Sequence, residues 1–111
     1  MDIEMSRWGR EDGKNAQYVV QPYYVPANVV RFLAPPGRLT HSFDWEAGRV
    51  AFRTIRGAEN GRKPATLSSH AFTSGVPSPG KETLHLNLFI LDNQQMPQGV
   101  EVTFEKFEYL P

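Results

Sequence analysis

Short segments of alternating apolar and polar residues follow one another along the whole chain, separated by clusters of turn-forming residues. Nine prolines and nine glycines interrupt the 111 residues, and both residue types are disfavoured inside helices and sheet ladders. No stretch carries the 3.6-residue period of an amphipathic helix. The pattern therefore predicts about eight short strands and one all-β domain over residues 1–111, an antiparallel β-sandwich or barrel.

Turn-forming residues set the bounds of these strands. The predicted strands cover residues 1–9, 16–22, 28–32, 39–45, 49–56, 66–73, 83–91 and 99–110. Asp12–Gly13 lies between the first two strands and is a common hairpin turn, so we expect these strands to pair antiparallel. Residues 83–91 carry apolar side chains on both faces, which is typical of a central strand.

Alternation also predicts which side chains enter the core, because residues two apart on a strand share a face. In the first two strands, the side chains predicted to face the core are those of Ile3, Met5, Tyr18 and Val20. In the hairpin over residues 39–56, they are those of His41, Phe43, Trp45, Val50 and Phe52. In the last strand, they are those of Val100, Val102 and Phe104.

Two acids, Asp2 and Glu4, occupy the other face of the first strand. Their Cα atoms should lie roughly 6.6 Å apart, close enough for one carboxyl group to keep its proton near neutral pH. A proton donor beside an ionised carboxylate is what cleavage of a glycosidic bond requires. The alternative interpretation is an edge strand whose solvent face happens to be acidic.

Polar and aromatic residues are predicted around the two acids. If the second strand buries Tyr18 and Val20, its glutamines, Gln17 and Gln21, flank the acids and suit hydrogen bonding to sugar hydroxyls. Glutamines on an open sheet face are otherwise simply solvated. Trp8 shares the parity of the acids, so we place it at one end of this acidic groove.

Charge and motif content exclude several classes of function. Lys plus Arg equals Asp plus Glu at 12 each, which argues against nucleic acid or an anionic membrane as the main partner. There is no cysteine, and hence no thiol nucleophile or thiolate metal site. The three histidines, His41, His70 and His85, fall on different predicted strands without metal-binding spacing, so we predict no metal and no cofactor.

Five segments in order resemble the lichenase and laminarinase type of β-glucanase, family 16 of the glycoside hydrolases. They are DIE (2–4), AQYVVQPY (16–23), HSFDWEAGRVAFR (41–53), LHLNLF (84–89) and VTFEKFEY (102–109). The resemblance covers nearly the whole chain but only the second half of the family's domain. It implies a partial jelly roll of the concanavalin-like type.

The resemblance also implies roles for individual residues. Glu4 resembles the family's general acid/base, and Asp2 the central aspartate that tunes it. The residues that resemble the lining of the sugar-binding sheet are Gln17, Gln21, Asn87 and Phe89. Two departures are evident: the nucleophilic glutamate would fall one position before Met1, and Phe89 stands where the family usually has tryptophan.

Three hypotheses follow for function. The first is a carbohydrate-associated protein that binds a β-glucan or related polysaccharide, with vestigial or no retaining endo-β-glucanase activity. The second is a self-associating structural module, expected to be a homodimer because half a family domain leaves strand edges unpaired. The third is a gene fragment without a function of its own. No leader or membrane span is recognisable, so a cytoplasmic product is expected, although complete family members are usually secreted.

Overall fold

The computed structural model describes residues 1–57, 65–88 and 99–110. Contacts divide the chain into two units, Met1–Lys81 and Glu82–Pro111. The strands of the described residues all belong to the first unit. None of the helices in these ranges is long and apolar enough to cross a membrane.

Six strands and one short 3-10 helix make up the first unit. The strands are β1 (Asp2–Glu4), β2 (Ala16–Val19), β3 (Val29–Phe32), β4 (Leu39–Glu46), β5 (Arg49–Arg56) and β6 (Thr66–Phe72), with the helix at Pro26–Asn28. They form two antiparallel sheets, ordered β1-β2-β3 and β4-β5-β6. The predicted all-β fold class is therefore confirmed, and each sheet is a three-stranded meander.

One aromatic core joins the inner faces of the two sheets. The ring of Tyr18, on β2, stacks on Phe52 of β5 with 4.9 Å between centroids and also contacts Phe32 at 4.6 Å. Phe72 of β6 meets Phe52 edge-on at 5.9 Å. Rings at these distances pack as in a protein interior. The two sheets therefore pack as a β-sandwich, and the inward predictions for Tyr18 and Phe52, as well as Val20 and Val50, are confirmed.

A short hydrogen-bond network of polar side chains lies within this apolar core. The hydroxyl of Tyr18 lies 2.7 Å from the Thr54 Oγ1 atom and donates to the carbonyl of Ser68 at 3.2 Å. The same Thr54 oxygen lies 2.9 Å from His41 Nδ1. Burial lowers the pKa of His41 below its ordinary value, because the charged imidazolium is disfavoured away from water.

The predicted hairpin over residues 39–56 is present as β4 and β5, but one of its inward predictions is wrong. Phe43 pairs with Phe52 across the hairpin yet remains 42% exposed. Trp45 is half-buried against the core, and its indole N–H donates to the carbonyl of Pro77 at 2.8 Å. The alternation identified the correct face, since His41 and Trp45 on either side are half-buried and the Phe43 ring lies 5.8 Å from that of Phe52, but Phe43 covers the rim of the core and is not enclosed by it.

The predicted strands of the second unit are not present among its described residues. Residues 82–88 and 99–110 lie in no ladder, and their alternate apolar side chains are exposed: Leu84, Leu86, Leu88, Val100, Val102 and Phe104. Apolar alternation gives a segment a face to bury, but a strand forms only when a neighbour pairs with its backbone groups. The remainder of the predicted strand 83–91, with Phe89, lies outside the described residues.

Candidate functional site: the outer face of the first sheet

Asp2 and Glu4 share the outer face of the first sheet, as the alternation predicts. Asp2 pairs with Val19 and Glu4 with Gln17, whereas Ile3, between them, pairs with the core residue Tyr18. Residues that pair directly across an antiparallel ladder share a face. Both acids are half-buried, so their carboxylates are partly shielded from water.

Each acid accepts a hydrogen bond from one of the flanking glutamines. Gln17 Nε2 donates to Glu4 Oε2, and Gln21 Nε2 donates to Asp2 Oδ2 at 2.7 Å. The other end of each amide meets a donor: Gln21 Oε1 accepts from the backbone N–H of Tyr23 at 3.0 Å. Each glutamine is held at both ends, so its amide orientation is set by the surrounding network.

Arg31 of β3 organises this face, and sequence reasoning did not identify it. Its side chain is only 6% exposed. Arg31 Nη1 donates to Gln17 Oε1 at 2.7 Å, and Nε donates to Asp12 Oδ2 at 2.7 Å. Its Nη2 atom lies within hydrogen-bond distance of the carbonyls of Ser6, Arg7 and Lys14, at 3.4, 3.2 and 3.0 Å. Arg31 thus fastens the loop between β1 and β2 to the sheet.

The electrostatics at Asp12 follow from the same contact. The hydrogen bond from Arg31 lowers the pKa of Asp12 below its ordinary value, and a hydrogen bond from the backbone N–H of Lys14 contributes in the same direction.

The sequence does carry a signal for the position of Arg31. It is the one charged residue in the strand Val29–Phe32, and its parity puts it on the face of Gln17.

The prediction that Trp8 continues the first strand is wrong. The strand ends at Glu4, and Met5, predicted to be buried, is 52% exposed. Trp8 lies in a turn with a φ of +49° and donates its backbone N–H to Ser6 Oγ at 3.0 Å. Alternation predicts a face only while the chain stays extended, and Gly9 at φ +69° allows the chain to turn here.

A groove beside the acids is the second feature that sequence reasoning missed. It is open to solvent on one side, has a volume of about 290 Å³ and is lined by Arg10, Tyr23, Tyr24, Pro26, Val29 and Arg31. The rings of Tyr23 and Tyr24 meet edge-on with 5.8 Å between centroids and are 68% and 75% exposed. Tyr23 and Tyr24 lie between Pro22 and Pro26, outside the predicted strands, so alternation assigns them to no face.

The remaining predicted site residues are not brought to this face. Asn87 is exposed and belongs to the second unit, and Phe89 lies outside the described residues. His41 contacts Thr54, and His70 packs edge-on against Phe72 with 4.5 Å between ring centroids. Within residues 1–57, 65–88 and 99–110, no group of acids and histidines is arranged to hold a metal ion.

Compared with known protein families, with curated proteins and with solved structures, the chain shows no match. The resemblance to family 16 of the glycoside hydrolases therefore stays a prediction, supported by the residues themselves.

Proposed function

We propose that this protein is a carbohydrate-associated β-sandwich of the family 16 type, which binds a β-glucan or related polysaccharide on the outer face of its first sheet. The observation that supports the proposal is the pairing of each acid with its own glutamine, at Glu4–Gln17 and Asp2–Gln21. Ionised carboxylates accept several hydrogen bonds at once. Sugar hydroxyls supply the donors that such a surface recognises.

The proposal is for binding with little or no hydrolysis. Retaining cleavage needs a nucleophile and an acid roughly 5 to 5.5 Å apart. The resemblance supplies Glu4 as the acid/base and Asp2 as its tuning partner, but it assigns the role of nucleophile to no residue of this chain. In addition, one carboxylate oxygen of each acid already accepts a hydrogen bond from a glutamine side chain. Recognition of the sugar requires neither a nucleophile nor turnover.

Titration calorimetry with neutral glucose tetrasaccharides, one β-1,3-linked and one of mixed linkage, tests this function. We expect Glu4→Gln and Asp2→Asn each to weaken binding about tenfold, since a hydrogen bond to a charged group contributes about 1.5 kcal/mol. Asp44→Asn, an exposed acid on the second sheet, is the matched control and should bind like the parent. Equal affinity of all four proteins, or no binding by the parent, would overturn the proposal.

Self-association is a second candidate function, and the exposed apolar residues of the second unit favour it. Leu84, Leu86 and Leu88 alternate along a segment that joins no ladder among the described residues. Segments of this kind pair readily with another chain, most simply in a two-fold homodimer. Light scattering after size exclusion, over a hundredfold dilution, should then give a mass above one chain that Leu86→Lys reduces. A single-chain mass at every concentration would exclude it.

A further inference from the structure

The groove beside the acidic face has a wall of two exposed tyrosines. Tyr23 and Tyr24 present rings inclined at 76° to each other, so they form no parallel slot for a flat aromatic ligand. One ring face is open for stacking, and the neighbouring ring contributes its edge and its hydroxyl. A sugar chair has C–H groups for such a face and hydroxyls for such an edge. The volume of about 290 Å³ lies at the lower end of the usual range for small-molecule sites and leaves room for a single sugar ring.

Arg10 provides the groove with an available positive charge. It is exposed, and none of the described residues forms an ion pair or a side-chain hydrogen bond with it. Arg31 also lines the groove, but its guanidinium is occupied by Asp12, Gln17 and loop carbonyls. A guanidinium fork matches the two oxygens of a carboxylate. The groove therefore combines a stacking surface with a cation that has no side-chain partner among the described residues.

Both walls of the groove are held by the protein's own hydrogen bonds. On the tyrosine side, the amide side chain of Asn28 donates to the Pro22 carbonyl at 3.2 Å, and the Val25 backbone N–H donates to the same carbonyl at 3.3 Å. On the other side, the Arg10 backbone N–H donates to the carbonyl of Arg7 at 2.9 Å. Because these walls are already ordered before a ligand binds, less conformational entropy is lost on binding.

We propose that this groove binds a uronate, a sugar ring that carries a carboxylate, as part of the polysaccharide that contacts the acidic face. This inference rests on the proposed function and names the class of sugar. The acids lie on β1 and the groove over β3, roughly two strand spacings or 9.6 Å away. A short oligosaccharide can therefore contact both, with neutral residues over Asp2 and Glu4 and its acidic residue beside Arg10.

The test compares two ligands, a neutral β-1,3-linked glucose tetrasaccharide and the same tetrasaccharide with a glucuronate at one end. The parent should bind the glucuronate form about fivefold tighter than the neutral form, because an ion pair at an exposed site adds only a small favourable free energy of binding. Arg10→Gln should abolish this preference by weakening binding of the glucuronate form to the level of the neutral one. Arg7→Gln, an exposed arginine of the same loop, is the matched control and should keep the preference. Tyr24→Ala should weaken binding of the glucuronate form.

The possible failures separate this inference from the proposed function. Equal affinity for the two tetrasaccharides, or a preference that survives Arg10→Gln, would overturn the uronate site while neutral binding still supports the sugar-binding face. Binding of neither ligand would overturn both proposals. Displacement of the glucuronate form by an equimolar acidic peptide would show that the groove recognises a carboxylate without a sugar ring, which also contradicts the inference.

Discussion

Replacing Arg31 with methionine tests the network beneath the proposed site. The substitution keeps an apolar stem but removes every donor of a side chain that is 6% exposed. Two partly buried acceptors, Gln17 Oε1 and the Ser6 carbonyl, then lose their donor. An unsatisfied buried acceptor costs about 1 to 3 kcal/mol. The hydrogen bond to the Ser6 carbonyl is long at 3.4 Å, so the cost of losing it lies at the lower end of this range.

We therefore expect Arg31→Met to lower the free energy of unfolding by about 3 kcal/mol, a large part of the 5 to 15 kcal/mol typical of a domain. The other partners of Arg31, including Asp12, are exposed, so water replaces the lost donors there. Urea unfolding followed by circular dichroism measures the change, and an unchanged m-value shows that the midpoint shift reports stability.

A matched control and a second readout make this prediction specific. Arg7→Met changes an exposed arginine of the same loop and should alter stability by less than about 0.5 kcal/mol. NMR titration of Arg31→Met should show the pKa of Asp12 moving up toward its ordinary value, because the largest cause of its lowering is removed. A loss of less than about 1 kcal/mol, with the Asp12 pKa unchanged, would refute the reasoning.

Three further predictions concern the core, its pH dependence and activity. The lowered pKa of His41 means that the unfolded chain binds its proton first as pH falls. The stability contributed by neutral His41 is therefore complete above about pH 6.5 and is lost as pH falls through the lowered pKa, and urea melts of His41→Gln should show a flatter profile. Trp45→Ala should cost about 2 to 3 kcal/mol in thermal or urea unfolding, less than for a fully buried aromatic, since Trp45 is half-buried and loses its hydrogen bond to Pro77. A variant that melts like the parent would contradict that packing. The protein should release no more reducing sugar from β-1,3- or mixed-linkage glucan than Glu4→Gln does. Turnover that Glu4→Gln abolishes would show that another carboxylate, such as Asp2, acts as nucleophile.

The strands of the first unit were predictable wherever alternation and turn residues agree. Residues 49–56 form a strand with the predicted bounds, and Val29–Phe32 differs from its prediction by one residue. Both segments have a neighbouring strand nearby in the chain, so their backbone groups find partners locally. The segments 82–88 and 99–110 alternate equally well, but pairing depends on a neighbour that their own pattern does not specify.

The candidate site was predictable in part, for a related reason. Asp2, Glu4 and Gln17 share a face because strand geometry alone determines it, and Gln21, just past the end of β2, reaches the same face through its hydrogen bond to Asp2. Arg31 comes to the same face from a third strand, and its hold on the loop depends on how residues 5–15 fold back, which periodicity does not describe. The position of Trp8 was missed for that reason too, since the strand ends at Glu4 and the backbone turns at Trp8 and Gly9.

The most direct test of the central claim is an NMR titration of the 15N-labelled protein with the neutral β-1,3-linked tetrasaccharide. If the outer face of the first sheet binds the sugar, the shifted signals should cluster in β1, β2 and the glutamine side chains, and Glu4→Gln should weaken the response. Signals of β4–β6 should stay in place. Shifts confined to the second sheet, or none at saturating sugar, would contradict the account.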